Sequence, residues 1–385
     1  MPPRVYLDNA ATSWPKPDAV YAAVDHYQRE LGAAAGRGVY REAIEVERLI
    51  EACRRRVAKL VNAARPEQIV FTQNGTDALN LALHGLLRPG DHVVTTTLEH
   101  NSVLRPLRAL AERDVTATYV ACDPCRGVDP DDIAAAITSQ TKLIAINHVS
   151  NVTGVIQPVA EIGRLARDRG IKLLVDAAQS AGCLDLDLQQ LGADLLAVPG
   201  HKGCYGPLGT GFLALAPGME EILQPIRQGG TGTRSDEDVQ PTSLPDRYEA
   251  GNLNVPGLVG LEAGLTFVAE QTPAAIHARE VALITRLIDQ LVDVAGLELF
   301  AAPPERRAGL VSLRVANLDP REVAAILDAT YGVQVRAGLH CAPRCHAALH
   351  TTPEGTARLS VGAFTTEAQI DLAAKALAEI AAEVA

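Results

Sequence analysis

An α/β fold on a mainly parallel sheet is predicted by three features of this 385-residue chain. Between about residues 69 and 215, short β-rich runs alternate with helical patterns. The runs are mostly continuously apolar, as in strands covered on both faces. The residues that follow them (Gly, His, Asn, Asp, Lys) are those that open sheets present at their carboxyl ends, where ligands bind.

The elements follow in order. REAIEVERLIEACRRRVAKLVN reads as a long amphipathic helix leading into the sheet. Seven strands are then expected, at QIVFT, HVVTTT, TATYV, KLIAIN, KLLVD, DLLAV and GFLAL. Helical segments lie between them; VAEIGRLARDRG has helical apolar spacing, closes on Gly170 and runs straight into KLLVD. Between 225 and 257 the periodicity fails and Pro, Gly, Thr and Asp accumulate, which marks a functional loop or a boundary crossing. Helices at VALITRLIDQLVDV and QIDLAAKALAEIAAEV, with strands at LVSLRV and ARLSV, then predict an α+β unit. The expected division is a large α/β domain over 15–250 and a small domain over 251–385, with residues 1–14 packing nearby.

Composition narrows the function. Hydrophobic residues at 47% and charged residues at 21% suit an ordinary globular protein. A net charge of -11 offers no general attraction to nucleic acid or anionic membrane, so neither is expected as a partner. No window reaches the roughly 18 unbroken apolar residues of a membrane span. The amino terminus lacks the basic start and apolar stretch of a secretory signal, so a cytoplasmic protein is expected. Seven cysteines are too few and too scattered for a disulfide scaffold.

Candidate site residues come from the strand ends. TQNGTDALN places Gly75 and Thr76 before a helix whose free N–H groups suit a phosphate, although Gly-Thr there also serves as an ordinary cap. LEHNS puts His100 at the mouth of the same cleft. NHVSNVTG adds Asn151, either a turn residue or an amide for a phenolic or carboxylate oxygen. In LLVDAAQSAG, Asp176 ends an aliphatic strand, where an acid is costly without a partner. A pyridinium nitrogen is such a partner, because the carboxylate keeps it protonated and makes the ring an electron sink. Gln179 lies one helical turn on. AVPGHKGCYGPLGTGF sets His201 and Lys202 among glycines; a desolvated lysine of lowered pKa is a suitable Schiff-base former.

The ordered set YLDNAAT, GTDALNLAL, EHNS, HVSNVTG, VDAAQSAG, GHKGCYGPLGTG, YEAGNLN and RAGLHCAP resembles the class V aminotransferase family, in its cysteine desulfurase branch, across residues 5 to about 375. The resemblance implies the fold type I architecture of pyridoxal 5'-phosphate (PLP) enzymes. It also implies that Lys202 binds the cofactor covalently, Asp176 pairs with the pyridine nitrogen, His100 stacks on the ring and Gln179 bonds its phenolic oxygen. Thr76 and His201 would hold the phosphate, with Gly75 allowing close backbone approach, and Asn151 and Arg358 would bind the substrate carboxylate. Two positions depart from the family pattern. Pro199 replaces a phosphate-binding serine, and Asn252 stands where the partner subunit usually lends a threonine.

RAGLHCAP supplies the sulfur acceptor, Cys341, beside an imidazole at His340 that can favour the thiolate. The implied reaction converts L-cysteine to alanine and leaves a persulfide on Cys341, to be removed by an acceptor protein or small thiol. A selenocysteine lyase, or a class V aminotransferase or β-lyase that does not use Cys341, is the alternative. A homodimer is implied as well. Cys345 is a candidate disulfide or polysulfide partner for Cys341, and with His346 has the look of a zinc pair, though no other cluster completes a ligand set. Cys122 and Cys125 read as a turn; Cys53, Cys183 and Cys204 read as packing.

Overall fold

The structure is a computed structural model that describes residues 4–36, 38–233 and 236–384. The seven apolar runs form one sheet: β1 (Ile69–Thr72), β2 (His92–Thr96), β3 (Thr116–Val120), β4 (Thr141–Asn147), β5 (Lys172–Asp176), β6 (Leu195–Pro199) and β7 (Gly211–Leu215). Their spatial order is β1-β7-β6-β5-β4-β2-β3. Only β7 runs antiparallel to its neighbours.

The unbroken hydrophobicity of the runs has a direct cause. Successive side chains point to opposite faces, and both faces are covered. Ile144, Ile146, Leu173 and Val175 enter one core, with the helices Arg41–Leu60, Val159–Asp168 and Val255–Gln271. Leu143, Ala145 and Leu174 enter the other, under Gly75–Leu86 and Asn101–Ala111. The helix Arg41–Leu60 buries Ala43, Val46, Ile50, Cys53 and Val57, a stripe at helical spacing.

A second sheet is antiparallel, in the order β10-β11-β9-β8, from β8 (Leu297–Phe300), β9 (Leu310–Val315), β10 (Arg336–Gly338) and β11 (Thr356–Ser360). Helices Pro273–Leu291 and Glu367–Val384 complete its core. The chain start belongs to it too: Val5 and Leu7 lie in this core, and Val5–Tyr6 pairs in parallel with Val333–Gln334. Residues 1–3 of the expected N-terminal segment, and 234–235 of the irregular stretch, lie outside the described residues.

The expected division at 250/251 was drawn where periodicity fails, but core membership changes later. Leu258, Leu261 and Leu265 of Val255–Gln271 pack into the large core with Val46 and Val57. Leu283, Ile284 and Leu287 of the next helix are in the small one. We therefore propose a boundary near residue 272. The irregular stretch leaves the large core and returns to it, so a composition change marks an excursion rather than a border.

That excursion is anchored by a buried ion pair. Arg54, 2% exposed, donates to both Glu249 carboxylate oxygens at 2.8 and 3.0 Å and to the Ile69 carbonyl at 2.6 Å. The Phe71 amide also donates to Glu249, at 2.6 Å. Removing one partner strands the other charge away from water. Arg54→Met is thus expected to cost about 3–5 kcal/mol, read as a lower urea midpoint; a midpoint equal to wild type would refute this role.

Candidate active site

Five strand ends deliver functional groups to a single cleft, lined by Gly75, Thr76, His100, Asn151, Asp176, Gln179, His201 and Lys202. The carboxyl ends of β1, β2, β4, β5 and β6 lie side by side, because right-handed crossovers return every parallel strand in the same direction.

Asn74 caps the helix Gly75–Leu86, its Oδ1 accepting from the Asp77 amide at 2.9 Å. With Asn74 as the cap, the Thr76 side chain is free to form a 2.7 Å hydroxyl pair with Ser102. A Cβ on Gly75 would lie 3.1 Å from the Pro199 ring, a tight contact that the bare backbone avoids. Pro199, in place of the serine, thus packs against the helix start.

His100 caps the next helix. Its Nδ1 accepts the Ser102 amide at 3.0 Å, which fixes the ring plane and leaves the neutral ring's proton on Nε2. Burial, with Lys202 and nearby arginines, pushes its pKa down to about 4, so the ring is neutral near pH 7. His201 is pushed to about 4 as well, mainly by burial, with Lys202 and Lys16 adding to it.

Asp176 lies at the floor of the cleft, its Oδ1 accepting the Ala178 amide at 2.9 Å. Burial raises its pKa, against the opposing pull of that amide and Lys202. Lys202 goes the other way: burial brings its ammonium down to about 8, with Asp176 resisting and Arg358 and Arg336 assisting. An amine of this pKa is substantially neutral at mildly alkaline pH and able to act as nucleophile or base.

Asn151 and Arg358 lie in contact. Arg358 is wholly buried; it donates to the Asn151 carbonyl at 2.9 Å and to Asp8 Oδ1 at 2.8 Å. One arm of its fork is therefore already held by Asp8, whose motif YLDNAAT was visible in the sequence. Asn151 Nδ2 donates to the His340 carbonyl at 2.7 Å, and the Asn101 amide to the Cys341 carbonyl at 2.7 Å. Those bonds tie the Cys341 loop to the mouth of the cleft, on the same side as Lys202.

The side chain that meets the Cys341 sulfur is not the expected imidazole. His340 points away, its Nε2 near Thr356 O and Oγ1 at 3.1 and 3.0 Å, and burial holds it neutral, down to about 2. The partner of Cys341 is Arg336, whose guanidinium donates to Sγ at 3.4 Å. Sequence reading passed over this residue although it opens the RAGLHCAP motif; Ser102, in EHNS, was missed likewise.

Cys345 is also corrected. It is fully buried, and desolvation lifts its thiol far above the ordinary range, which makes it a poor partner for sulfur exchange. His346 is buried on Thr351 Oγ1 at 2.8 Å. No group of three or more His, Cys, Asp or Glu among the described residues is arranged to hold a metal ion. Cys122 and Cys125 flank an Asx turn, with the Cys125 and Arg126 amides on Asp123 Oδ1 at 2.8 and 3.1 Å. Asn252 lines a separate cleft with Arg227 and Tyr248, and does not reach the site within one chain.

PLP fits the residues present. Three buried polar atoms around the cleft, Asn151 Oδ1, His201 Nδ1 and Arg358 Nε, have no partner in the protein. A helix start with Thr76 and Ser102 suits a phosphate, Asp176 a pyridinium nitrogen, and Lys202 an aldehyde.

Glu99, next to His100, is another buried acid. Its Oε1 accepts from Thr96 Oγ1 at 2.7 Å, Oε2 has no partner, and burial raises its pKa to about 8. The folded protein keeps a proton that the unfolded chain loses near its ordinary 4.5. Stability from this group is therefore complete below that value and lost as pH rises through about 8. Glu99→Gln is expected to shrink the stability difference between about pH 5 and about pH 9 by on the order of 1–3 kcal/mol. Urea titrations of both proteins would expose an unchanged slope.

The site's geometry has counterparts among known proteins. The family model described as Aminotransferase class-V matches residues 5–372. A probable cysteine desulfurase of Methanothermobacter thermautotrophicus is 39% identical over 98% of this chain and 94% of its own length. Another, of Halalkalibacterium halodurans, is 36% identical over 97% and 92%. The apo structure of the cysteine desulfurase from Thermococcus onnurineus NA1 superposes with a TM-score of 0.92 at 34% identity, covering 99% of this chain and 95% of that one. That of the Escherichia coli cysteine desulfurase CsdA does so with a TM-score of 0.89 at 30% identity and the same coverage.

Proposed function

This chain belongs to the class V aminotransferase family, and from that membership together with the cleft we infer that it is a PLP-dependent cysteine desulfurase. What supports the reading is that Lys202 and Asp176 line one cleft while the Cys341 loop, with Arg336 on its thiol, is tied beside that cleft through Asn101 and Asn151.

PLP, when bound, supplies an electron sink that acidifies the substrate Cα–H and weakens the Cβ–S bond. Everything else falls to the chain. Thr76, Ser102 and His201 would hold the phosphate, Asp176 the ring nitrogen, Gln179 the phenolic oxygen, and His100 would pack on the ring. Asn151, Arg358 and the more accessible Arg336 take the substrate carboxylate; a guanidinium fork suits it. Lys202 moves the Cα proton. Cys341 attacks the substrate sulfur, forming an S–S bond as the Cβ–S bond breaks, and Cβ takes up a proton. Cysteine and the enzyme thiol thus become alanine and enzyme persulfide, with no outside oxidant.

An acceptor protein, such as an iron–sulfur assembly scaffold, or a small thiol then takes the sulfur. We further propose a cytoplasmic homodimer. All seven cysteines are free, as a reducing compartment would keep them. Val39 and Leu208, 95% and 68% exposed, are apolar side chains that a second subunit would cover, and Asn252 needs a neighbour to reach a phosphate.

The reading is tested by incubating the PLP-loaded protein with cysteine. Intact mass should rise by one sulfur on Cys341 with alanine released in equal amount. Pyruvate, or alanine without an added sulfur, would reject it.

A further inference from the structure

Lys16 lies outside the groups given a role above, yet its ammonium has no carboxylate partner among the described residues. Nζ donates instead to the His201 carbonyl at 2.7 Å and to Ser13 Oγ at 2.8 Å. An amine partly withdrawn from water without a counter-charge is disfavoured as an ammonium, and burial brings this half-buried one down to about 8.

The acceptor is what makes the contact informative. The His201 carbonyl belongs to the peptide that leads into Lys202, and the N-terminal segment surrounds it. The Ser13 amide donates to it at 3.1 Å and Thr12 Oγ1 at 3.0 Å, while Ser13 Oγ donates to the next carbonyl, of Lys202, at 2.9 Å. At Gly182 the loop packs directly on backbone: a Cβ there would collide with the Gly203 carbonyl. Glycine against glycine leaves no side chain there to hold the loop's direction. Residues 12–16 provide that restraint.

The same segment reaches the rest of the site. Asp8 grips Arg358, and the Ala10 carbonyl accepts Gln179 Nε2 at 3.0 Å. Nine residues of chain thus touch the carboxylate arginine, a ring-facing amide and the cofactor lysine's backbone.

We propose that Lys16 is a positioning residue, which through the His201 carbonyl aims the Lys202 amine at the cofactor aldehyde. The inference rests on the reading of Lys202 as the cofactor-bearing residue.

Lys16→Met keeps the length of the side chain and removes its donors. Cofactor-free protein is mixed with PLP, and the adduct is trapped with borohydride and located by mass spectrometry. Attachment to Lys202 should slow by about tenfold, since a small misdirection of a reacting group costs that much or more. Pyridoxamine phosphate, which has no aldehyde, should bind the variant and wild type within about twofold. Attachment at the wild-type rate overturns the proposal. So does an equal loss of pyridoxamine phosphate binding, which a general loosening of the site would cause. Should Lys16→Met not fold, Ser13→Ala, which removes the second donor on the same loop, is expected to slow attachment in the same way. Wild-type protein with no adduct at Lys202 would reject the functional reading itself, a separate result.

Discussion

A Lys202→Ala protein is expected to release alanine from cysteine at least about 10^3-fold more slowly than wild type. On the proposed reading two functions leave with one amine, the covalent hold on the cofactor and the movement of the Cα proton. The phosphate cradle is untouched, so PLP should still bind, without a borohydride-stable adduct. Burial brings the Lys202 ammonium to about 8. In cofactor-free wild type only the neutral amine attacks the aldehyde. The attachment rate should therefore rise about tenfold per pH unit below that value and level off above it. An alanine variant retaining more than about a tenth of wild-type activity would remove Lys202 from the chemistry.

Cys341→Ala should be nearly as damaging to sulfur transfer while sparing cofactor attachment. Its thiol lies on a loop of the small unit, tied to the cleft by backbone bonds from Asn101 and by the Asn151 amide to His340. Alanine keeps those bonds. The variant is expected to carry PLP on Lys202 at the wild-type level, to show no added sulfur after cysteine, and to form alanine at least about 10^2-fold more slowly. Persulfide on another cysteine at the wild-type rate would transfer the acceptor role. Cys345 is the least suited to take it, because burial keeps its thiol protonated.

The two expected effects differ in origin, and the difference follows from the fold. Lys202 comes from the turn after β6 of the large sheet, Cys341 from the loop after β10, and the N-terminal segment touches both units through Asp8 and Lys16. A change in either unit therefore acts on half of the reaction.

Much of this was readable in one dimension. Seven strands were visible because burial on both faces keeps most of them largely apolar, and Asp176 and Lys202 stood out because charge close behind such a strand needs a use. What sequence left unresolved depends on contacts between distant positions. That Arg336 rather than His340 meets the Cys341 sulfur is set by the direction of two side chains, one on strand β10 and one on the loop after it. That Val255–Gln271 belongs to the large unit is set by where a long excursion returns. The grip of Lys16 on the His201 carbonyl joins residues 185 positions apart. Residue types and their local order determined the chemistry available; only folding decided which groups face one another, because directional bonds and desolvation depend on distances that sequence spacing does not encode.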